Sequence, residues 1–251
     1  MRIIGLEKNS FIDYSGKCSL VIFTKGCNFN CPTCHNKIAV KPNKRTNLIK
    51  EEEIFYYLEK RKKFIDGLVI SGGEPTIQKD LISFLEKCKK EKIQIKLDTN
   101  GYKPDILEEI LEKNLVDYVA LDIKGPKNIY SDLVGINIDI KRIEESIKIV
   151  SKFSEYEFRT TIVPIKRNKD YISWMKIEEL KDTLEWVYNI IKNKESKYFL
   201  QKFFSREEKQ MLNKNFSLNY LSKELHETPN YLIEEMKKIA KKYFPKIEIR
   251  D

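Results

Sequence analysis

Six short apolar runs alternate with amphipathic segments along the first 200 residues, and this alternation constrains the fold more than any other feature. The runs cover residues 19–24, 67–71, 93–97, 118–122, 157–163 and 198–201, and each is typical of a buried β-strand. Helices are predicted over residues 48–62, 78–90, 104–112 and 141–152, with two further helical segments over 170–192. Strands that alternate with helices predict an α/β fold with a parallel sheet.

The last part of the chain breaks this pattern. Residues 205–251 are helical in character and rich in Lys, so we expect a core of residues 1–204 followed by a helical C-terminal extension of residues 205–251. Residues 218–237 hold two short amphipathic segments separated by Pro229. They could form a DNA-reading helix-turn-helix, but a helical pair that covers an edge of the core is favoured because the pattern is weak.

Composition and charge limit the classes of function. With 41% hydrophobic and 34% charged residues, the chain has the profile of a soluble globular protein with a sizeable core. No apolar run is long enough to cross a bilayer and no signal peptide is apparent, so a cytoplasmic location without membrane contact is expected. The net charge of +9 admits a polyanionic partner or a phosphate-bearing substrate. Because Lys alternates with Glu along most predicted helices, a solvated surface is favoured and nucleic acid is not the expected partner.

Polar motifs follow four of the predicted strands. They are a cysteine loop after the first strand, Gly-Gly-Glu-Pro at 72–75, Asp-Thr-Asn-Gly at 98–101 and Asp-Ile-Lys-Gly at 122–125. Ligand sites of parallel sheets lie at the carboxyl ends of the strands. The sequence therefore predicts that one site gathers all four motifs.

The cysteine loop carries Cys27, Cys31 and Cys34 within eight residues. In a reducing compartment such spacing indicates metal ligands rather than disulfides. Three thiolates can hold a cubane iron–sulfur cluster and leave one iron without a protein ligand, as a catalytic centre requires. The alternative is a zinc site completed by His35 or a distant residue, although His35 is awkwardly close to Cys34 for the same tetrahedron.

Several segments of the sequence resemble motifs of the radical S-adenosylmethionine (SAM) enzymes. They are residues 23–36 around the cysteines, the leader at 10–16, and the segments 98–101, 121–125, 156–164 and 247–250. Within that superfamily the chain resembles most the activating enzymes of glycyl-radical enzymes, and among these the anaerobic ribonucleoside-triphosphate reductase activating proteins. The resemblance covers residues 3–200 and is weaker afterwards. It implies an incomplete parallel (β/α)6 barrel.

The resemblance also implies cofactors and partners. Cys27, Cys31 and Cys34 would hold a 4Fe–4S cluster whose fourth iron chelates SAM, and reductive cleavage of SAM would give a 5′-deoxyadenosyl radical. The substrate would be a glycine of a partner reductase, and the electron donor a flavodoxin or ferredoxin. Two alternatives remain open: a different substrate, namely another glycyl-radical enzyme or a small nucleobase precursor as in deazaguanine synthesis, or a DNA-binding protein with a structural metal.

The expected SAM contacts lie in all four motifs. Gly72 and Gly73 allow close backbone approach, and Glu74 can accept hydrogen bonds from an ammonium group. Asp122 and Lys124 are one strand period apart and would contact SAM or form a local ion pair. Arg159 requires a carboxylate, either that of SAM or a structural one. The remaining candidates are Thr33 and His35 beside the cysteines, and Asp98, Thr99 and Asn100, which could bind the ribose or a cation.

Overall fold

An eight-stranded sheet forms the centre of the protein, whose computed structural model describes residues 1–43, 46–167 and 171–250. The strands of this sheet are β1 (Ile3–Ser10), β2 (Ser19–Thr24), β3 (Gly67–Gly72), β4 (Gln94–Thr99), β5 (Tyr118–Asp122), β6 (Tyr156–Ile162), β9 (Lys197–Lys202) and β10 (Glu248–Arg250). A separate hairpin joins β7 (Pro164–Lys166) to β8 (Ile172–Trp174).

The strand order is β1-β2-β3-β4-β5-β6-β9-β10. β1 pairs antiparallel with β2, and each later pair is parallel. The described residues contain no pairing between β1 and β10, so the curved sheet stays open between its two edges. The six predicted strands are the parallel series from β2 to β9, and the incomplete parallel barrel is confirmed.

Helices cover the outside of the sheet. They are α1 (Lys37–Val40), α2 (Glu51–Arg61), α3 (Leu81–Lys90), α4 (Pro104–Glu112), α5 (Tyr130–Val134), α6 (Ile140–Val150), α7 (Ile177–Ile191) and α8 (Asn230–Ala240). α3 shows why they pack: Leu81, Phe84, Leu85 and Cys88 lie on one face and are fully buried. α4 begins on Pro104, whose ring suits the first turn of a helix.

The two faces of the sheet differ in chemistry. Leu97 on β4 and Phe158 on β6 face the helices and join the main apolar core. The inner face carries a small apolar cluster of Tyr14, Val21, Val69 and Tyr118. Lys96 and Glu157 lie on the same inner face and are almost fully buried. The barrel interior is therefore largely ionic, which matters for the site at its mouth.

One prediction about secondary structure was wrong, and one strand was not predicted. Residues 172–174 form β8 of the hairpin rather than a helical segment, and one helix, α7, follows. The run Ile172-Ser173-Trp174 contains a β-branched and an aromatic residue, which fit a pleated surface better than a helix. Residue 170, at the start of that prediction, lies outside the described residues. The sequence also did not predict β1, a sheet-edge strand without clear alternation of polarity.

The C-terminal segment is less helical than expected. Residues 205–250 contain one α-helix, α8, and two short 3-10 turns, Lys214–Phe216 and Lys223–Leu225. The favoured helical pair over residues 218–237 and the alternative helix-turn-helix are therefore both wrong, because a short 3-10 turn stands where the first helix would be. β10 pairs parallel with β9 and so joins the barrel sheet. The division at residues 204 and 205 stays a prediction, with residue 251 outside the described part. No helix in the described ranges is long and apolar enough to cross a membrane.

Candidate active site

A cavity of 530 Å³ opens at the carboxyl ends of the parallel strands. Its size lies within the range of about 300–1,000 Å³ that is usual for small-molecule sites. All of the residues proposed from the sequence line it, namely Cys27, Cys31, Thr33, Cys34, His35, Gly72, Gly73, Glu74, Asp98, Thr99, Asn100, Asp122, Lys124 and Arg159. The four polar motifs therefore do meet at one place, as the strand ends predicted.

The cysteine loop leaves β2 and is held by its neighbours. The backbone N–H of Gly26 donates to Ala39 O at 2.6 Å, and that of Asn30 donates to Val134 O at 2.8 Å. Phe29 is buried and packs against the ring of Tyr102, with 5.6 Å between centroids. Anchors before and within the loop fix its path across the barrel mouth.

The three thiols are partly buried in the wall of the cavity. Burial is the main reason that the pKa of Cys27 rises to about 12 and that of Cys31 to about 11, and it raises the pKa of Cys34 as well. The backbone N–H of Phe29 lies 3.3 Å from Cys27 Sγ, and that of Asn36 lies 3.4 Å from Cys34 Sγ. These N–H groups stabilise thiolate charge once a metal replaces the protons.

The donor set fits a cluster. No three His, Cys, Asp or Glu side chains of the described residues converge on a point where a single metal ion could bind. A cubane cluster does not require such convergence, because each thiolate binds a different iron. Three thiols on the wall of one cavity therefore suit it. Burial, Arg206 and Lys124 lower the pKa of the adjacent His35, so its imidazole is neutral at neutral pH.

The two glycines after β3 allow the second motif to touch the cysteine loop. Gly72 has a φ of +114°, which L side chains rarely adopt. A Cβ on Gly73 would lie 1.9 Å from Gly26 O. The N–H groups of Gly73 and Glu74 donate to Thr24 O at 3.0 Å and Gly26 O at 2.8 Å. Both predicted glycines are thus required by close backbone approach.

Glu74 is fully engaged within the protein. Its carboxylate accepts hydrogen bonds from Thr76 N at 3.1 Å, Thr76 Oγ1 at 2.6 Å, Thr99 Oγ1 at 2.7 Å and Asn100 N at 2.8 Å. Burial raises the pKa of Glu74, and these donors work against that rise. The geometry therefore favours a connection between the ends of β3 and β4 over the expected contact of this carboxylate with an ammonium group.

Carboxylates and cations alternate across the cavity floor. Arg159 Nε donates to Asp122 Oδ1 at 2.7 Å, and Lys124 Nζ lies 3.0 Å from Asp122 Oδ2. Burial alone would raise the pKa of Asp122, but Arg159 and Lys124 outweigh it and lower the value to about 2. The local ion pair and the structural carboxylate, both left open by the sequence, are present, and the same side chains line the cavity.

Asp98 has an oxygen available at this floor. Oδ1 is buried and lies 3.3 Å from Lys96 Nζ and 3.4 Å from Arg159 Nη1. These are charge contacts without hydrogen-bond alignment, so Oδ1 has no hydrogen-bond partner among the described residues. A buried carboxylate oxygen that lacks a hydrogen bond is suited to a polar or cationic group of a bound molecule.

A deeper ionic layer was missed from the sequence. The guanidinium of Arg250 on β10 donates to both carboxylate oxygens of Glu157, at 2.6 and 2.8 Å. The same group stacks on Phe199, with Arg250 Cζ 3.4 Å from the ring centroid. Tyr118 Oη donates to Glu157 Oε2 at 2.8 Å, and Lys96 Nζ lies 3.8 Å from Glu157 Oε1. Lys96 and Glu157 could have been found as charged residues at inward positions of buried strands, whereas Arg250 was noted only within the resembling segment 247–250, without a role.

Residues after β9 cover the cysteine loop, which the sequence also did not predict. Leu212 N donates to Cys34 O at 2.8 Å, and Lys37 N donates to Gln210 O at 3.1 Å. Met211 between them is fully buried. This strap, residues 210–212, fixes the outer side of the loop.

Comparison with known proteins agrees with this site. The radical SAM superfamily matches residues 21–173. One relative is a Methanocaldococcus jannaschii protein that is named as a candidate glycyl-radical enzyme activating enzyme. It is 35% identical to this chain over 254 residues, which cover 99% of this chain and 95% of that protein. The pyruvate formate-lyase 1-activating enzyme of Escherichia coli K12 is 29% identical over 172 residues, or 65% of this chain and 68% of that enzyme.

The fold is also found in solved structures. SuiB of Streptococcus suis, in a crystal structure with bound SAM, matches with a TM-score of 0.62 and 14% identity. The match covers 92% of this chain and 50% of SuiB, and it supports the fold alone. The superfamily match and the nearly full-length relative identify the family and its cofactors. The chain therefore belongs to the radical SAM superfamily, as a glycyl-radical enzyme activating enzyme that uses a 4Fe–4S cluster and SAM.

Proposed function

We propose that this enzyme forms a radical on a glycine of anaerobic ribonucleoside-triphosphate reductase. The observation that carries the proposal is the one cavity in which three partly buried thiols meet the polar ends of β3 to β6. The leader at residues 10–16 and the similarity along 99% of the chain to a protein named for glycyl-radical activation support a protein glycine as the substrate. The cavity mouth would then admit a loop of the partner.

Three thiolates would hold the cluster. Cys27, Cys31 and Cys34 would be its protein ligands, and three protein ligands would leave a site for SAM on the cluster. When bound, the cluster and SAM supply one-electron reductive cleavage and the hydrogen-abstracting chemistry. No side chain of the protein acts as an acid or base in this scheme. The protein contributes position and partly shields the thiols from water.

The remaining cavity residues would orient SAM. The backbone at Gly72 and Gly73 lies beside the cysteine loop, where the amino-acid part of SAM must reach the cluster. Lys124 and Arg159 provide positive charge for a carboxylate, and Asp98 Oδ1 can accept a hydrogen bond. Thr33, His35, Thr99, Asn100 and Asp122 complete the proposed contact set.

A second candidate substrate is a pyruvate formate-lyase. The similarity to the Escherichia coli activating enzyme of that lyase favours it. The chemistry on the glycine would be the same, so the two candidates differ only in the partner that docks at the mouth. For either one we propose a cytoplasmic location and a flavodoxin or ferredoxin as the electron donor.

The test compares the two partners directly. The protein is reconstituted anaerobically with iron and sulfide and reduced with SAM present. It is then mixed with purified anaerobic ribonucleotide reductase or with pyruvate formate-lyase. Electron paramagnetic resonance measures the glycyl radical, and we expect the larger and faster signal on the reductase. Reduced flavodoxin and reduced ferredoxin then replace the chemical reductant in turn.

Matched controls separate substrate choice from loss of the cofactor. Each partner is also prepared with its radical glycine replaced by alanine, which should abolish the signal. Cleavage of SAM is measured in every sample. A signal on the lyase alone would reject the reductase in favour of the second candidate. Cleavage of SAM without a glycyl signal on either partner would reject both.

A further inference from the structure

The side chain of Asn100 lies against the sulfur of Cys27 in the interior of the cavity. Its amide Nδ2 is 3.8 Å from Cys27 Sγ, within the reach of an N–H···S hydrogen bond. Asn100 is only 6% exposed, so water does not compete for this contact. Among the described residues it is the one side chain that donates to a thiol of the cysteine set.

The orientation of this amide is fixed by the chain. Tyr102 N donates to Asn100 Oδ1 at 3.0 Å, which identifies that atom as the oxygen. The NH2 group therefore faces the cysteine loop, where Asn28 Oδ1 accepts one hydrogen at 2.8 Å. The second hydrogen is left for Cys27 Sγ, so both donors and the acceptor of Asn100 are used.

The backbone reinforces this position. Asn100 N donates to Glu74 Oε2 at 2.8 Å, so the buried carboxylate described above also holds the residue that faces the sulfur. Cys27 thus has two N–H neighbours, the backbone of Phe29 at 3.3 Å and the side chain of Asn100. Cys34 has the backbone N–H of Asn36 at 3.4 Å.

Hydrogen bonds to ligand sulfurs affect the redox properties of a cluster. The reduced form carries one more negative charge, and an N–H that points at a thiolate stabilises that charge. Loss of such a donor favours the oxidised form and lowers the reduction potential. A donor in a dry cavity has a larger effect than one in water.

We propose that Asn100 is a positioning residue that raises the reduction potential of the cluster by donating to the Cys27 thiolate, with Asn28 as the anchor of its amide. This inference rests on the proposed cluster site. It adds a specific control of how readily the cluster accepts an electron before SAM is cleaved. The sequence alone suggested only a contact with the ribose or with a cation for Asn100.

The test is a redox titration of the reconstituted protein without SAM or partner. Asn100→Leu removes the donor at similar size, and Asn100→Asp removes it while keeping an acceptor for Tyr102 N. Asn28 Nδ2, which has no hydrogen-bond partner among the described residues, can turn toward that new carboxylate. For N100L we expect the ratio of reduced to oxidised cluster at a fixed potential to fall severalfold. A tenfold fall corresponds to a decrease in reduction potential of about 59 mV for one electron. For N100D the fall should be larger.

The matched control is Asn114→Asp, which makes the same charge change at a residue with a φ of +49° that does not line the cavity. Asp tolerates that conformation, and we expect the wild-type potential. If N100L titrates like the wild type, the proposed hydrogen bond is wrong. If N100D shifts while N100L does not, charge rather than hydrogen bonding is responsible, and the proposal again fails.

A spectroscopic measurement covers the case in which variants bind less cluster. The reduced protein is labelled with asparagine that carries 15N only at the side-chain amide, so that the backbone N–H of Asn36 beside Cys34 gives no 15N signal. Pulsed electron paramagnetic resonance should then detect a weak nitrogen coupling that is lost from whichever Asn100 variant retains cluster. An unchanged coupling would overturn the proposal. Failure of the wild-type protein to bind any cluster would instead reject the proposed site, so the two failures are distinguishable.

Discussion

Gly73 lies where two loops of the cavity touch, and a methyl group does not fit between them. The added carbon of Gly73→Ala would lie 1.9 Å from Gly26 O, a backbone atom that cannot move without the cysteine loop. We expect destabilisation of about 1–3 kcal/mol and a severalfold loss of cluster content. Iron and sulfide analysis, with urea unfolding of the cluster-free protein, measures both effects.

Gly5→Ala is the control for that substitution. A carbon on Gly5 would be 3.6 Å from the ring of Phe23, an ordinary contact. This variant should bind cluster like the wild type. Equal cluster content in the two glycine variants would contradict the close approach at Gly73.

Arg159 determines how the interior responds to acid. It is one of the cations that lower the folded pKa of Asp122 to about 2 from 3.8. The stabilisation from this shift is present above the unfolded value and is lost as the pH falls through the folded value. Arg159→Gln should raise the pKa of Asp122 in the folded protein. Between about pH 5 and about pH 2.5, the free energy of unfolding of this variant should therefore fall less than that of the wild type.

The control for Arg159 is Arg142→Gln at a surface ion pair. Arg142 Nη2 lies 2.8 Å from Asp105, and the Arg142 and Asp105 side chains are 37% and 60% exposed. This variant should keep the wild-type pH slope. A slope in R159Q as steep as in the wild type would mean that Arg159 does not control the carboxylates beside it.

Single residues of the site were predictable where each follows a buried strand directly. The strand ends meet because the sheet is parallel, so the position of Cys27, Gly72, Asp98 and Asp122 in the sequence determines that they meet. Hydrogen bonding could not be predicted, since it depends on side-chain directions across the cavity. The engagement of Glu74 with Thr76, Thr99 and Asn100 therefore differs from the role expected from its motif.

At the scale of elements, β10 contributes the cation that neutralises Glu157. Arg250→Ala would leave this carboxylate, which is 1% exposed, without its bidentate partner. Tyr118 and Lys96 remain nearby but cannot replace two hydrogen bonds. We expect destabilisation of about 3 kcal/mol by urea unfolding of the cluster-free protein.

Lys246→Ala removes a surface ion pair just before the same strand. Lys246 Nζ lies 2.7 Å from Glu195, and both side chains are about two-thirds exposed. The cost should stay below about 1 kcal/mol. A loss in R250A no larger than in K246A would show that β10 does not stabilise the interior.

The elements differ in how far the sequence reveals them. β2 to β6 and β9 are apolar enough to be recognised as buried strands. β10 is three residues long and pairs with β9, about 50 residues earlier in the chain, so local periodicity carries little information about it. The strands of the β7–β8 hairpin are equally short, so their composition is a weak signal without the antiparallel pairing between them.

For the whole molecule, the barrel and the C-terminal segment should unfold together. β10 belongs to the barrel sheet, residues 210–212 hold the cysteine loop, and Trp174 Nε1 donates to Glu224 O at 3.2 Å. We expect one urea transition with the same midpoint by tryptophan fluorescence and by circular dichroism. Two separated transitions would instead support an independent unit at residues 205–251.

The pairing of Arg250 with Glu157 also affects biosynthesis. The two residues are 93 positions apart, so a nascent chain carries Glu157 out of the ribosome well before its partner is translated. During this interval the barrel interior lacks one of its cations and β9 presents a free edge. The eighth strand is therefore added to the sheet, and the buried carboxylate of Glu157 receives its bidentate partner, only after residue 250 has been translated.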